Sequence, residues 1–89
     1  MKGPLAEEMD QMMRWFSRVY PQWNLSIHYK WRGGKVKEHW YSLVVSHHGR
    51  QRVLPFHVPE AWFEDPIMEQ DLRDTVLNRL QLTTIQEVG

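Results

Sequence analysis

From Trp23 to Arg32, apolar and polar residues alternate without interruption. Trp23, Leu25, Ile27, Tyr29 and Trp31 fall on one side, and Asn24, Ser26, His28, Lys30 and Arg32 on the other. Period 2 is the repeat of an extended strand with one face buried, so this stretch demands a sheet and something to cover it. Gly33-Gly34 then signals a turn, Val36 to Ser46 is a second β-rich run, and Gly49 marks the next reversal before Val53 to Val58. Three strands in a meander follow.

The flanking segments carry helical spacing. Leu5, Met9, Met12, Phe16 and Val19 form one stripe, with Glu7, Asp10, Arg14 and Arg18 opposite. Gly3-Pro4 supplies an N-cap and a proline at N1, and Pro21 ends the helix at Tyr20. Val58 to Phe63 reads as a connector with one helical turn after Pro59. Asp65-Pro66 opens a second helix whose stripe is Leu72, Val76, Leu77 and Leu80, interrupted by Glu69 and Arg73. Thr83 to Gln86 resembles a capping box, predicting a separate last turn or fraying over residues 83–89. The expected fold is one α+β domain over residues 1–89, a three-stranded antiparallel meander with two helices packed on one face. Its order is helix-strand-strand-strand-helix.

Register decides which side of the second strand is buried. A two-residue turn at Gly33-Gly34 faces Trp40 and Val44 toward the helices, whereas a three-residue loop with a bulge faces Tyr41, Leu43 and Val45 there. The second choice buries the more apolar set and is preferred. A two-residue loop at His48-Gly49 then aligns Val45, Leu43 and Tyr41 with Arg52, Leu54 and Phe56. Pro55 cannot donate to a ladder and is expected to point outward on an edge strand.

On this register the open sheet face carries Trp40 beside His57 and Val44 opposite Val53, rimmed by His28, Lys30 and Arg32. An apolar and aromatic patch with that rim suits a protein partner, either a second copy or another chain, and an edge strand is the other place such a partner could engage. The same face offers an alternative, bases stacking on Trp40 while Lys30, Arg32, Lys35 and Lys37 engage phosphates. Charge bears on the choice. The chain has no net charge, yet residues 14–57 hold eight Lys or Arg against Glu38, and residues 58–89 hold seven acids against Arg73 and Arg79. Neutralisation across the fold accounts for much of this segregation, and a basic surface for an anionic partner is the sharper reading.

The element order resembles that of double-stranded-RNA-binding domains and would span nearly the whole chain. That family presents lysines at the start of its second helix to bridge phosphates. Asp65-Pro66-Ile67-Met68-Glu69-Gln70-Asp71 stands there instead, so the resemblance implies topology without the RNA function.

Other chemistry finds little footing. Five histidines invite a metal, but His28 and His57 belong on opposite edge strands, about 10 Å apart, and His47 and His48 point to opposite faces if the second strand runs that far. Ser26, Ser42 and Ser46 lack the surroundings of a nucleophile. The expectation is a non-catalytic chain without metal or cofactor. With no cysteine, no apolar signal core and no run long enough to span a bilayer, a cytoplasmic location without a membrane partner is expected.

Overall fold

Burial along the second strand alternates from end to end: His39, Tyr41, Leu43 and Val45 are buried and their neighbours are only partly covered. That strand is the middle one. The computed structural model describes residues 3–88. It comprises helix α1 (Ala6–Val19), strands β1 (Asn24–Arg32), β2 (Glu38–His47) and β3 (Arg50–Pro59), a 3-10 turn at Glu60–Glu64, and helix α2 (Pro66–Val88). The strands form one antiparallel sheet in the order β1-β2-β3, which is the α+β architecture expected. Leu5, Met9 and Met12 of the N-terminal segment meet Tyr41, Leu43 and Val58 of the sheet and Leu72 and Leu80 of α2 in one core.

The first hairpin keeps the expected faces in a different register. Tyr29 pairs with Tyr41, Ile27 with Leu43 and Leu25 with Val45, and the ladder closes at Arg32 and Glu38. A five-residue loop from Gly33 to Lys37 therefore replaces the three-residue loop, and β2 begins at Glu38 rather than Val36. A shift of two residues preserves strand parity, so the buried set is unchanged. Two contacts account for the longer loop. The Trp31 ring lies against Gly33, where a side chain would collide with it, and the Lys37 carbonyl accepts the Glu60 N–H at 2.9 Å.

The second hairpin matches expectation pair by pair, with Tyr41 opposite Phe56, Leu43 opposite Leu54 and Val45 opposite Arg52. His48 and Gly49 both take positive φ, 47° and 78°, the geometry a two-residue turn needs to match strand twist. Strand β3 begins at Arg50 rather than Val53 because the ladder starts directly at the turn. Pairs in an antiparallel ladder alternate between hydrogen-bonded and not. Counting from the closing pair His47–Arg50, Ser42–Pro55 and Glu38–Pro59 are pairs of the second kind. Both proline nitrogens therefore point to the open edge of β3.

Helix α1 starts two residues later than Gly3-Pro4 suggested. Gly3 has φ +92°, and a Cβ there would run into the Tyr41 hydroxyl and the Tyr29 ring; residues 3–5 thus form a turn, and Leu5 is the N-cap. The stripe buries Leu5, Met9, Met12 and Phe16, while Val19 at its end is exposed. In α2, Asp65 caps the helix by accepting the N–H groups of Ile67 and Met68. The interrupting charges prove to be a bridge: Arg73 donates to Glu69, to the buried Glu8 and to the Pro4 carbonyl, the last two at 2.7 Å. Thr83 to Gln86 starts no new turn. Helix α2 continues to Val88, Thr84 is fully buried, and its hydroxyl donates to the Leu80 carbonyl; Gly89 lies outside the described residues.

Leu43→Ala should cost about 2–5 kcal/mol in a denaturant titration, and Trp40→Ala clearly less. The reverse ranking would mean that the faces of β2 are exchanged. Burial pushes the Tyr41 phenol up to about 12, with the Leu5 N–H offsetting part of the effect, and Tyr29 shifts the same way through burial and then Glu60. An unfolded tyrosine ionises near 10, so the stability linked to Tyr41 is complete below about pH 10 and is lost as pH rises toward about 12. Thermal melts across that window should show a falling midpoint. Tyr41→Phe, weakened at neutral pH because the Leu5 N–H loses its acceptor, should show a shallower fall.

Candidate interaction face

Strand alternation turns one set of side chains away from the helices, and among the described residues no element covers that side. Trp40 stands on the middle strand, opposite Lys30 on β1 and His57 on β3. The His57 ring stacks on it with centroids 4.4 Å apart and planes 18° from parallel. The Arg32 guanidinium lies over the indole, 4.5 Å from its centroid. Because β1 and β3 flank β2, these two groups approach the two opposite faces of the ring. The indole N–H donates to Glu38 Oε2 at 2.9 Å, and Glu38 Oε1 stands 4.0 Å from His57 Nε2. The large aromatic is thus fixed from both sides and along its polar edge.

The expected site residues divide into two groups. His28, Lys30, Arg32 and Trp40 come together around a shallow hollow of about 280 Å³. Val44 pairs with Val53, and Val53 is 54% exposed, so the apolar part of the face continues away from Trp40. Lys35 and Lys37 do not join this group. They lie in the first loop and line a separate hollow with Glu60 and Glu64 of the 3-10 turn. The basic cluster around the first turn is accordingly split, and half of it faces acids.

Glu38 is the residue that sequence reasoning passed over, having counted it only as the lone acid of a basic segment. A usable signal was present, since Glu38 and Trp40 are two apart on one strand and must share a face. The histidines also separate by role. His39 is buried on the helix side, its Nδ1 2.7 Å from the Tyr29 hydroxyl and its Nε2 3.8 Å from Glu60. His47 stacks on Trp23. Strand β2 ends at His47, short of what opposite faces for His47 and His48 would require, and their rings meet edge to face with centroids 4.0 Å apart. His48 belongs to the turn, where strand alternation no longer applies. Among the described residues no three His, Asp or Glu side chains are grouped to hold a metal ion, and no helix is long and apolar enough to cross a membrane. Comparisons with protein-family models, with characterised proteins and with solved structures find no match.

Replacing Glu38 with alanine should free the Trp40 edge. In nitrogen-15 spectra the Trp40 indole N–H should exchange faster with solvent, while global stability changes by about 1–2 kcal/mol at most. Glu38→Gln keeps an acceptor and should retain slow exchange. Unaltered exchange in the alanine variant would show that the stacking partners hold the ring without Glu38.

Proposed function

We propose that this protein is a small non-catalytic interaction module whose open sheet face binds another protein around Trp40. One observation carries the proposal: a large, partly exposed aromatic is already immobilised by Arg32, His57 and Glu38 before any partner arrives. Ordering a side chain on binding costs about 0.5–1.5 kcal/mol, so an aromatic held in advance is a favourable anchor. The polar groups of the face engage one another instead of converging on a cleft, which supports a binding role over a catalytic one.

Charge indicates the kind of partner. Lys30 and Arg32 rim the face, and its one carboxylate among the described residues, Glu38, is engaged with Trp40 and His57. A second copy would bring the same cationic surplus, so complementarity favours a different protein with an acidic rim around an apolar centre. Nucleic acid is the weaker alternative. Bases stack on open aromatic faces, whereas both sides of Trp40 are occupied by its own chain, and Lys35 and Lys37 lie beside Glu60 and Glu64. An edge-strand mode is narrowed to β1, because Pro55 and Pro59 deprive the β3 edge of two donors.

Single- and double-stranded RNA and DNA should bind no tighter than roughly millimolar at about 50 mM salt. Micromolar binding that falls steeply toward about 200 mM salt and disappears in Lys35→Ala/Lys37→Ala would replace the protein-binding reading. For a protein partner recovered from the native host and purified, titration should show Trp40→Ala losing about 2 kcal/mol or more, with weak salt dependence. Full affinity in that variant would remove Trp40 as the anchor.

A further inference from the structure

On the helix side of β3 the core is not closed. Helix α2 stands off from the edge strand and leaves an apolar groove of about 480 Å³, floored by Phe56, Val58, Leu72 and Val76. Trp62, 44% exposed, lines its end and also lines an adjoining hollow toward Met68. Arg79 lines the groove as well. Among the described residues Arg79 makes no ion pair, although α2 and the turn before it are rich in acids.

We propose that this groove is a second docking site, which takes an amphipathic helix of a partner protein carrying a carboxylate side chain to Arg79. Three observations commit it to that occupant. The first excludes a strand. An added β-strand would pair with the open edge of β3, but that edge lacks donors at Pro55 and Pro59, so the occupant must satisfy its own backbone hydrogen bonds. The second is size. The β3 wall from Leu54 to Val58 spans about 13 Å and the α2 wall from Leu72 to Thr83 about 16 Å, matching roughly three turns of helix. A helix of that length presents apolar residues at i, i+3 or i+4, and i+7 to such a groove. The third is charge: an unpaired guanidinium on an apolar rim selects a carboxylate.

The groove meets the Trp40 face at His57, which lines it and also stacks on Trp40, and the experiment keeps the two readings separate. The full chain is used to select from a displayed library of random peptides of about four helical turns. Selected peptides should show the i, i+3/i+4, i+7 apolar pattern with Asp or Glu among the polar positions. Their affinity should drop on the order of tenfold or more in Thr75→Arg and in Thr83→Arg. Both are exposed groove-wall positions, and an unchanged melting midpoint verifies that each variant is folded. Arg79→Glu should reverse the preference from Glu-bearing to Lys-bearing peptides, an outcome that a purely structural role would not produce. Trp40→Ala reaches the groove only through His57 and should change peptide binding far less than Thr75→Arg, so failure of either site does not carry over to the other. The proposal is overturned by selected peptides that alternate with period 2, or by no enrichment over the Thr75→Arg/Thr83→Arg chain. A dimer in light scattering that Thr75→Arg disperses would assign the groove to a second copy. Displacement of the peptides by dodecanoate at micromolar concentration would assign it to a small apolar carboxylate. Either result would overturn the helix reading.

Discussion

Two adjacent backbone groups near the N-terminus are gripped by side chains from distant parts of the chain. The Leu5 N–H donates to the Tyr41 hydroxyl on β2, and the Pro4 carbonyl accepts from Arg73 on α2. With Leu5 fully buried and Pro4 partly so, this turn would otherwise hold unpaired polar groups, each costing about 1–3 kcal/mol where buried. Meeting both needs sets where α1 enters, how close α2 lies and which residue occupies the centre of the sheet. Tyr41 is stacked on Phe56 and tilted against Tyr29, so its position in turn registers all three strands. Gly3 is required beside it, because any Cβ would occupy the space of the hydroxyl.

The same network explains how a chain with segregated charges folds without strain. Much of the segregation is resolved between elements: Arg73 with Glu8 and Glu69, Arg52 with Glu87, and Lys35 and Lys37 beside Glu60 and Glu64. The Arg52–Glu87 pair is solvent-exposed and contributes little. The Arg73–Glu8 pair is half-buried, and there the loss of one partner would strand a charge in the core. Lys30 and Arg32 on the sheet face and Arg79 in the β3–α2 groove stand outside these pairings. Among the described residues Arg14, Arg18 and Arg50 also make no ion pair, and what sets the three apart is that they line the hollows for which binding is proposed.

Legibility in the sequence followed the range of the interactions involved. The second hairpin was readable to the residue, since His48-Gly49 tolerates positive φ at both positions and a two-residue turn dictates every pair beyond it. The first hairpin was readable only in parity. Its register rests on Trp31 packing over Gly33 and on the Lys37–Glu60 hydrogen bond, neither of which a turn motif announces. Trp40, His57, Val44 and Val53 were placed on the open face because burying the more apolar set of β2, Tyr41, Leu43 and Val45, turns them outward. The role of Glu38 and the detachment of Lys35 and Lys37 from the patch depended on side-chain geometry that alternation does not specify.

What the sequence by itself determined is the set of elements, their order and the buried face of each strand. These follow from period 2, from period 3.6 and from local backbone chemistry at Pro21, Gly49, Asp65 and Pro66. Tertiary structure alone decided how the charged interruptions of α2 were used, that its tail stayed helical over a buried Thr84, and that α2 stood clear of β3. The physical reason is the same in each case. Hydrophobic patterning states which side of an element avoids water, but the distance between two packed elements depends on the volumes and polar needs of side chains far apart in the chain. For this protein Arg73 and Tyr41 draw both helices toward the N-terminal turn, and the groove beside β3 is the space left on the other side.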